Sequence, residues 1–359
     1  MTVSSVNTQA KILIRFVLVL ALCICSFSCS ENSSKDFYIQ AEKAINDGDI
    51  AKAISLYKSA IEADDSFIEA YQKLGTIYYL QNSNEEAITL MNSLLTISPT
   101  NFDAHFILGN IYSKSGNYTK ALTHYEQALI TNTKDAKLYQ NMASAYVNLD
   151  NTQLALNFYN KALSIAPKDQ EIHYDLANTL ARKGNYSEAL QHYQSAVQLR
   201  PDYAEAWLFM GVTFYKSGNS ADAERVFNMA ISFNPSMTLA YKYLATIAKS
   251  KNDLASYNNY TGMILAADKK TLESIPYFLE AAKINRSLYE AHFNAGLAYF
   301  AINNSLDAAR HLELCVQTKP DFLEAYKQLE IVYNKLGDSQ KQENIKNIIN
   351  SLEQNIVSK

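Results

Sequence analysis

The sequence predicts an all-α solenoid of antiparallel helix pairs, and three observations carry that prediction. Ala53, Ala87, Ala121, Ala155, Ala189 and Ala223 lie 34 residues apart without an insertion. Ala60, Ala128, Ala162, Ala196 and Ala230, and Pro99, Pro167, Pro201 and Pro235, fall on the same period or its multiples. Self-similarity at such a fixed spacing marks stacked units that cannot bury their apolar faces alone. Composition agrees: only 10 Gly and 6 Pro against 48% hydrophobic residues favour a packed helical chain over disorder. A formal charge of −4 lacks the basic excess that a nucleic-acid partner calls for.

The N-terminus comes first. Lys11 and Arg15 precede an unbroken apolar run, Phe16–Ile24, followed by small residues and cysteines. That order is the pattern of a secretory signal, and the run is short of the ~20 apolar residues that span a bilayer. Of four cysteines, Cys23, Cys25 and Cys29 sit in this segment, leaving Cys315 as the one thiol of the folded part. A disulfide framework is therefore excluded there, and packing must supply stability. Losing the two cations of residues 1–28 takes the formal charge from −4 to −6.

The repeat unit explains itself residue by residue. With frames starting at Ser34, Ile68, Phe102, Ala136, Gln170 and Ala204, small residues fall at positions eight, twenty and twenty-seven. They let the first helix of each pair (A) approach the second (B), as Gly109 approaches Ala121 and Ala128. Tyr112 and Tyr125, at eleven and twenty-four, fill the space between helices. Position fifteen is Gly48, Asn82, Gly116, Asp150, Gly184 and Gly218, types that tolerate the left-handed conformation closing a helix. Proline at thirty-two stops helix B.

Two resemblances follow from these residues. The segments Ala204–Gly211 (AEAWLFMG) and Gly116–Ala128 (GNYTKALTHYEQA) resemble the tetratricopeptide repeat, a likeness covering about residues 34–356. It implies a right-handed superhelix of helix pairs. Ser26-Phe27-Ser28-Cys29 followed by Ser30 resembles a bacterial lipoprotein processing site, with Ser26 in place of the usual Leu. This implies a Cys29 that is lipidated as the first mature residue; plain cleavage and a retained anchor are the alternatives. Two or more acyl chains anchor stably where one does not, at about 0.8 kcal/mol per buried methylene. The expected organisation is a signal peptide at 1–28, a short tether at 29–33, six regular repeats at 34–237, an irregular joint at 238–288, and a further repeat with capping helices at 289–359.

The joint is where the period fails. Frame is kept for Thr238–Lys251, and the next full repeat begins at Tyr289, 51 residues later, or one and a half periods. A frame starting at Ala255 places Gly262 at eight and Ala281 at twenty-seven. The alternative is a degenerate B helix over Asp253–Asp268 with a lone helix over Thr271–Asn285. Beyond it, a polar helix over Asp338–Val357 is expected to cap the array, its stripe of Ile345, Ile348, Ile349, Leu352 and Ile356 facing the preceding repeat.

In the repeat family that the chain resembles, A-helix positions two, five, nine, twelve and thirteen line a concave groove. Carried onto this sequence, the candidate ligand residues are Phe106, Asn110, Lys114, Gln140, Asn141, Ser144, Tyr174, Asn178, Arg182 and Lys216. Asn side chains can pair with backbone amides, aromatics can hold side chains, and the cations can steer an acidic segment. The family's carboxylate clamp is not expected: Asn110 and Asn141 fit it, but Phe106 replaces a Lys, and Glu171 and Asp175 reverse the sign of its last pair. Position two offers acidic residues: Glu69, Asp103, Glu171 and Glu205.

The pairs His105 and His124, His173 and His192, and His292 and His311 recur at positions four and twenty-three. They read as duplicated structural positions rather than a metal site, which adds carboxylate or Cys ligands at short spacing. Trp207 is read as a packing residue. No phosphate loop or nucleophile elbow occurs, so no enzyme, metal or cofactor is expected. The expected role is a non-enzymatic scaffold. It is expected to be lipid-anchored on the periplasmic face of a bacterial membrane, the outer one, and to bind extended or helical segments of one or more proteins. A self-associating module and a recruiting subunit of a glycan or secretion enzyme complex are the alternatives.

Overall fold

The computed structural model describes residues 33–357. The expected signal peptide, Cys29 and all of the tether except Ser33 lie outside the described residues. Among those described there are nineteen helices and no strand. They are α1 (33–46), α2 (Ile50–Ala63), α3 (Ile68–Leu80), α4 (Asn84–Ile97), α5 (Phe102–Lys114), α6 (Tyr118–Thr131), α7 (Ala136–Asn148) and α8 (Thr152–Ile165). Then follow α9 (Gln170–Lys183), α10 (Tyr186–Leu199), α11 (Ala204–Lys216), α12 (Ser220–Phe233), α13 (Thr238–Ser250), α14 (Leu254–Ala267) and α15 (Thr271–Ile284). The last are α16 (Tyr289–Ala301), α17 (Ser305–Thr318), α18 (Leu323–Leu336) and α19 (Ser339–Val357). The chain divides into two compact units after Lys168, the first holding α1–α8 and the second α9–α19.

Two kinds of connection alternate. The tight A-to-B turn puts position fifteen at positive φ: Gly48, Asn82, Gly116 and Asp150 in the first unit, Gly184 and Gly218 in the second. The next residues cap helix B: the side chains of Asp49, Asn117, Asn151 and Asn219 accept from backbone N–H groups three residues on. The B-to-A' loop is extended and carries the prolines, as at Pro99 after Ser98 and Pro235 after Asn234. An aromatic N–H ties two of these loops to the helix that follows. Trp207 Nε1 donates to the Pro201 carbonyl at 2.8 Å, and His105 Nε2 stands 3.0 Å from that of Pro99.

The core is a string of local clusters. In the first unit one runs from α1 to α5 around Tyr57, Leu74, Met91 and Leu108, and another from α5 to α8 around Tyr125, Leu138 and Met142. The period-34 alanines are fully buried at the A–B contacts. Helices approach so closely there that a Cβ on Gly109 would lie 2.4 Å from the Tyr125 ring.

The joint belongs to the second unit and resolves the two open readings. α14 packs most extensively against α15, and it also touches α16 directly, as α3 touches α5. Gly262 meets the Phe278 ring as Gly211 meets Phe227, while buried Ser274 and Ala281 stand at twenty and twenty-seven of the Ala255 frame. Lys269, position fifteen of that frame, has φ 62°, yet Asn252, position fifteen of the Thr238 frame, has φ 57°. Two tight turns therefore follow in succession, and α14 serves as B helix to α13 and as A helix to α15.

At the C-terminus, Ile345, Ile349 and Leu352 pack against Leu312, Leu329 and Val332. Ile348 departs from the expected stripe and stays 38% exposed, because 345, 349 and 352 already fill the face that α19 turns to α18. The cap begins at Ser339, with Asp338 accepting from Lys341 N at its start.

Candidate functional site

Two A helices of the first unit build the candidate site. On α5, Phe106, Asn110 and Lys114 stand four residues apart and share a face; on α7, Lys137, Asn141 and Ser144, four and then three apart, share one too. With Tyr79 of α3, Ser113 of α5 and Tyr125 of α6 they line an open groove of about 590 Å³. Five predicted residues thus meet in one cavity: Phe106, Asn110, Lys114, Asn141 and Ser144.

Hydrogen bonds fix the floor. Tyr125 Oη and Asn141 Nδ2 both donate to Asn110 Oδ1 at 2.8 Å. The oxygen of Asn110 is spoken for, so its Nδ2 and the Asn141 oxygen are what the pair offers outward. Phe106 stacks on Phe102 with centroids 5.5 Å apart and leans on Tyr125 at 6.3 Å. Lys114 Nζ donates to Asn82 Oδ1, a neutral acceptor that leaves its charge uncompensated. Lys335 and Asn303 repeat this contact in the second unit at 2.8 Å.

Asp103, half-buried at the start of α5, accepts from Gln72 Nε2, and burial holds its carboxyl above the usual range. Burial also pushes the Tyr125 phenol up, so it stays a neutral donor. These groups exchange hydrogen bonds and cationic contacts; none is a nucleophile with a base beside it.

Gln140 is 5% exposed and is not among the residues lining this cavity. Tyr174, Asn178, Arg182 and Lys216 belong to the second unit. Tyr174 joins an aromatic cluster, 5.0 Å from Tyr203 and 6.1 Å from Phe209. Asn178 Oδ1 accepts from Tyr193 Oη, as Asn110 does from Tyr125. Arg182 and Lys216 are exposed. Sequence reasoning missed Tyr79, Ser113 and Lys137, although all three hold groove positions, twelve, twelve and two; Lys137, like Lys35, breaks a mostly acidic series.

The histidines are closed pairs. His105 and His124, His173 and His192, and His292 and His311 each set Nδ1 against Nδ1 at 3.0–3.1 Å. One ring must donate and the other accept, which fixes opposite tautomers. Among the described residues no group of three or more His, Cys, Asp or Glu is placed to hold a metal.

Models of the TPR repeat match residues 75–116 and 177–218, and models of the tetratricopeptide repeat match 102–168 and 158–191. Residues 75–218 are tetratricopeptide repeats. No match is found among curated proteins. Among solved structures, the C-terminal part of a TPR repeat-containing protein from Cytophaga hutchinsonii is 15% identical. The match covers 72% of this chain and 99% of that one with a TM-score of 0.50. Pseudomonas aeruginosa pilF is 16% identical over 64% of this chain and 96% of its own, TM-score 0.48. YrrB, described as a TPR protein with an unusual peptide-binding site, is 24% identical over 51% and 95%, TM-score 0.46. The Cytophaga likeness extends the tetratricopeptide fold over most of the chain.

Proposed function

We propose that this chain is a non-enzymatic scaffold that holds an extended segment of a partner protein along α5 and α7. It is tethered by a lipidated Cys29 to the periplasmic face of a bacterial membrane. One observation carries the binding reading: the Asn110–Asn141 carboxamide pair lies in an open groove with an aromatic wall and two lysines at its edge. A carboxamide donor and acceptor match the peptide group of an extended chain, and Lys114 and Lys137 favour acidic residues along it. The tether rests on the order of residues 11–34 alone.

Site-specific photocrosslinking in intact cells tests the binding reading. A crosslinker at Ser144 captures a partner, and one at Glu126, on the exposed side of α6, does not. Capture from Glu126 equal to that from Ser144 sinks the groove. Crosslinks joining two copies of this chain favour the self-associating module instead. Metabolic labelling with a fatty-acid analogue tests the tether: label on wild type is lost in Cys29→Ser, and equal labelling of both disproves it.

A further inference from the structure

The half-period shift at the joint opens a second cavity, of about 310 Å³, within the second unit. Its walls come from α12 (Asn228, Ile231), α13 (Tyr241), α14 (Ser256, Asn259, Tyr260, Met263) and α16 with its preceding loop (Leu288, Glu290, Phe293, Asn294). This size is at the small end of ligand pockets. α14 packs beside both α13 and α16.

The lining is polar in an ordered way. Asn294 Nδ2 donates to Asn259 Oδ1 at 3.0 Å. Asn259 is 7% exposed, and its Nδ2 has no partner within the protein, so a buried donor faces the cavity. Tyr241 and Tyr260 stand 6.4 Å apart and Phe293 adds a third ring. No Lys, Arg or His lines the cavity, whereas Glu290 does. Burial above all, and then Glu224, Glu290 and Asp253, push the Tyr260 phenol up to about 12. Lys251 answers Glu224 in an ion pair; Lys319, held by the Tyr289 hydroxyl and ring, also bears on Glu290, whose carboxylate the Tyr289 side chain contacts.

We infer that this cavity takes an arginine side chain of a peptide. Its guanidinium meets the Glu290 carboxylate between the Tyr and Phe rings, and its backbone carbonyl accepts from Asn259 Nδ2. A planar cation that stacks on aromatic faces and forks onto a carboxylate suits this lining better than an ammonium. The site is independent of the groove between α5 and α7, so either can fail without the other.

Ligand-observed NMR on the full-length chain in detergent, with the blocked tripeptide acetyl-Gly-Arg-Gly-amide, tests it. The tripeptide binds wild type and the control Glu273→Gln, and Glu290→Gln weakens it at least tenfold. The same peptide with citrulline, a neutral isostere of arginine, shows no saturable binding. Citrulline peptide binding as well as arginine peptide, or Glu290→Gln without effect, overturns the cationic site. n-Propylguanidinium, which lacks the carbonyl, binding as tightly as the tripeptide overturns the role given to Asn259.

Discussion

Replacing Gly109 with alanine separates two opposing effects of known size. On an exposed helix the change stabilises by up to about 1 kcal/mol through backbone entropy. At Gly109 the added Cβ lies 2.4 and 2.5 Å from Cε1 and Cδ1 of Tyr125 and 3.1 Å from its Cζ. Comfortable carbon contacts begin near ~3.5 Å, so ring or helix must retreat by roughly 1 Å. The ring has little room, being 1% exposed and tied through its hydroxyl to Asn110 at 2.8 Å. Overpacking of this kind costs about 1–3 kcal/mol; set against the propensity gain, a net loss of about 1–2 kcal/mol is expected. Ala143 and Ala177 hold the same position opposite Tyr159 and Tyr193, so alanine is compatible with the repeat but not with the spacing of this pair. The assay is the urea midpoint, read with amide exchange of α5 and α6 because repeat arrays need not unfold as one. Gly116→Ala is the companion: its φ is +79° with nothing within 4 Å, so its loss is one of backbone strain and leaves the Tyr125–Asn110 bond intact. If Gly109→Ala raises the midpoint, the close-approach reasoning is wrong.

Three further expectations follow from buried groups and strained turns. His124, His192, His292 and His311 are held below the ordinary histidine value, chiefly by burial. The unfolded chain therefore binds protons first, and stability present above about pH 6.5 declines as pH falls through the folded values. Tm should drop between pH 7.5 and 5.5, and less so when His124, His192 and His311 are all glutamine; an equal drop refutes the assignment. The Cys315 thiol is fully buried and pushed up to about 12, mainly by that burial. It should resist alkylation at pH 8 until denaturant is added, and rapid stoichiometric labelling of native protein counts against this packing. Lys269 sits at φ 62°, where a side chain costs about 1–2 kcal/mol and glycine's entropy returns about half. Lys269→Gly should thus stabilise the second unit by about 0.5–1 kcal/mol in urea titration, and a loss contradicts the strain.

Much of the fold was legible because its constraints are steric and local. Small residues where helices touch, Gly, Asn or Asp in the left-handed turn, and proline after helix B each act within one repeat, so the spacing of Ala53 to Ala223 gave helix ends closely. The joint was ambiguous for a physical reason. Gly262 fits one frame and Asn252 the other, and the turn that reconciles them uses Lys269, a residue type that does not announce a left-handed conformation. Within the groove, residue types and faces were readable, but not the state of Asn110. Its oxygen is claimed by Tyr125, fifteen residues on, and by Asn141 of the next pair, which only packing decides. The burial of Gln140 was hidden likewise, since position five ranges from buried Leu208 to exposed Lys242 across the repeats.

The doubled turn at Asn252 and Lys269 spans 17 residues, half a period. Excising 253–269 would carry α13 straight into α15, set Ala245 opposite Phe278 and put the remaining helices back in phase. The segment is in that sense a removable cassette: its insertion adds one cavity, and its deletion erases that cavity while every other helix keeps its packing rule.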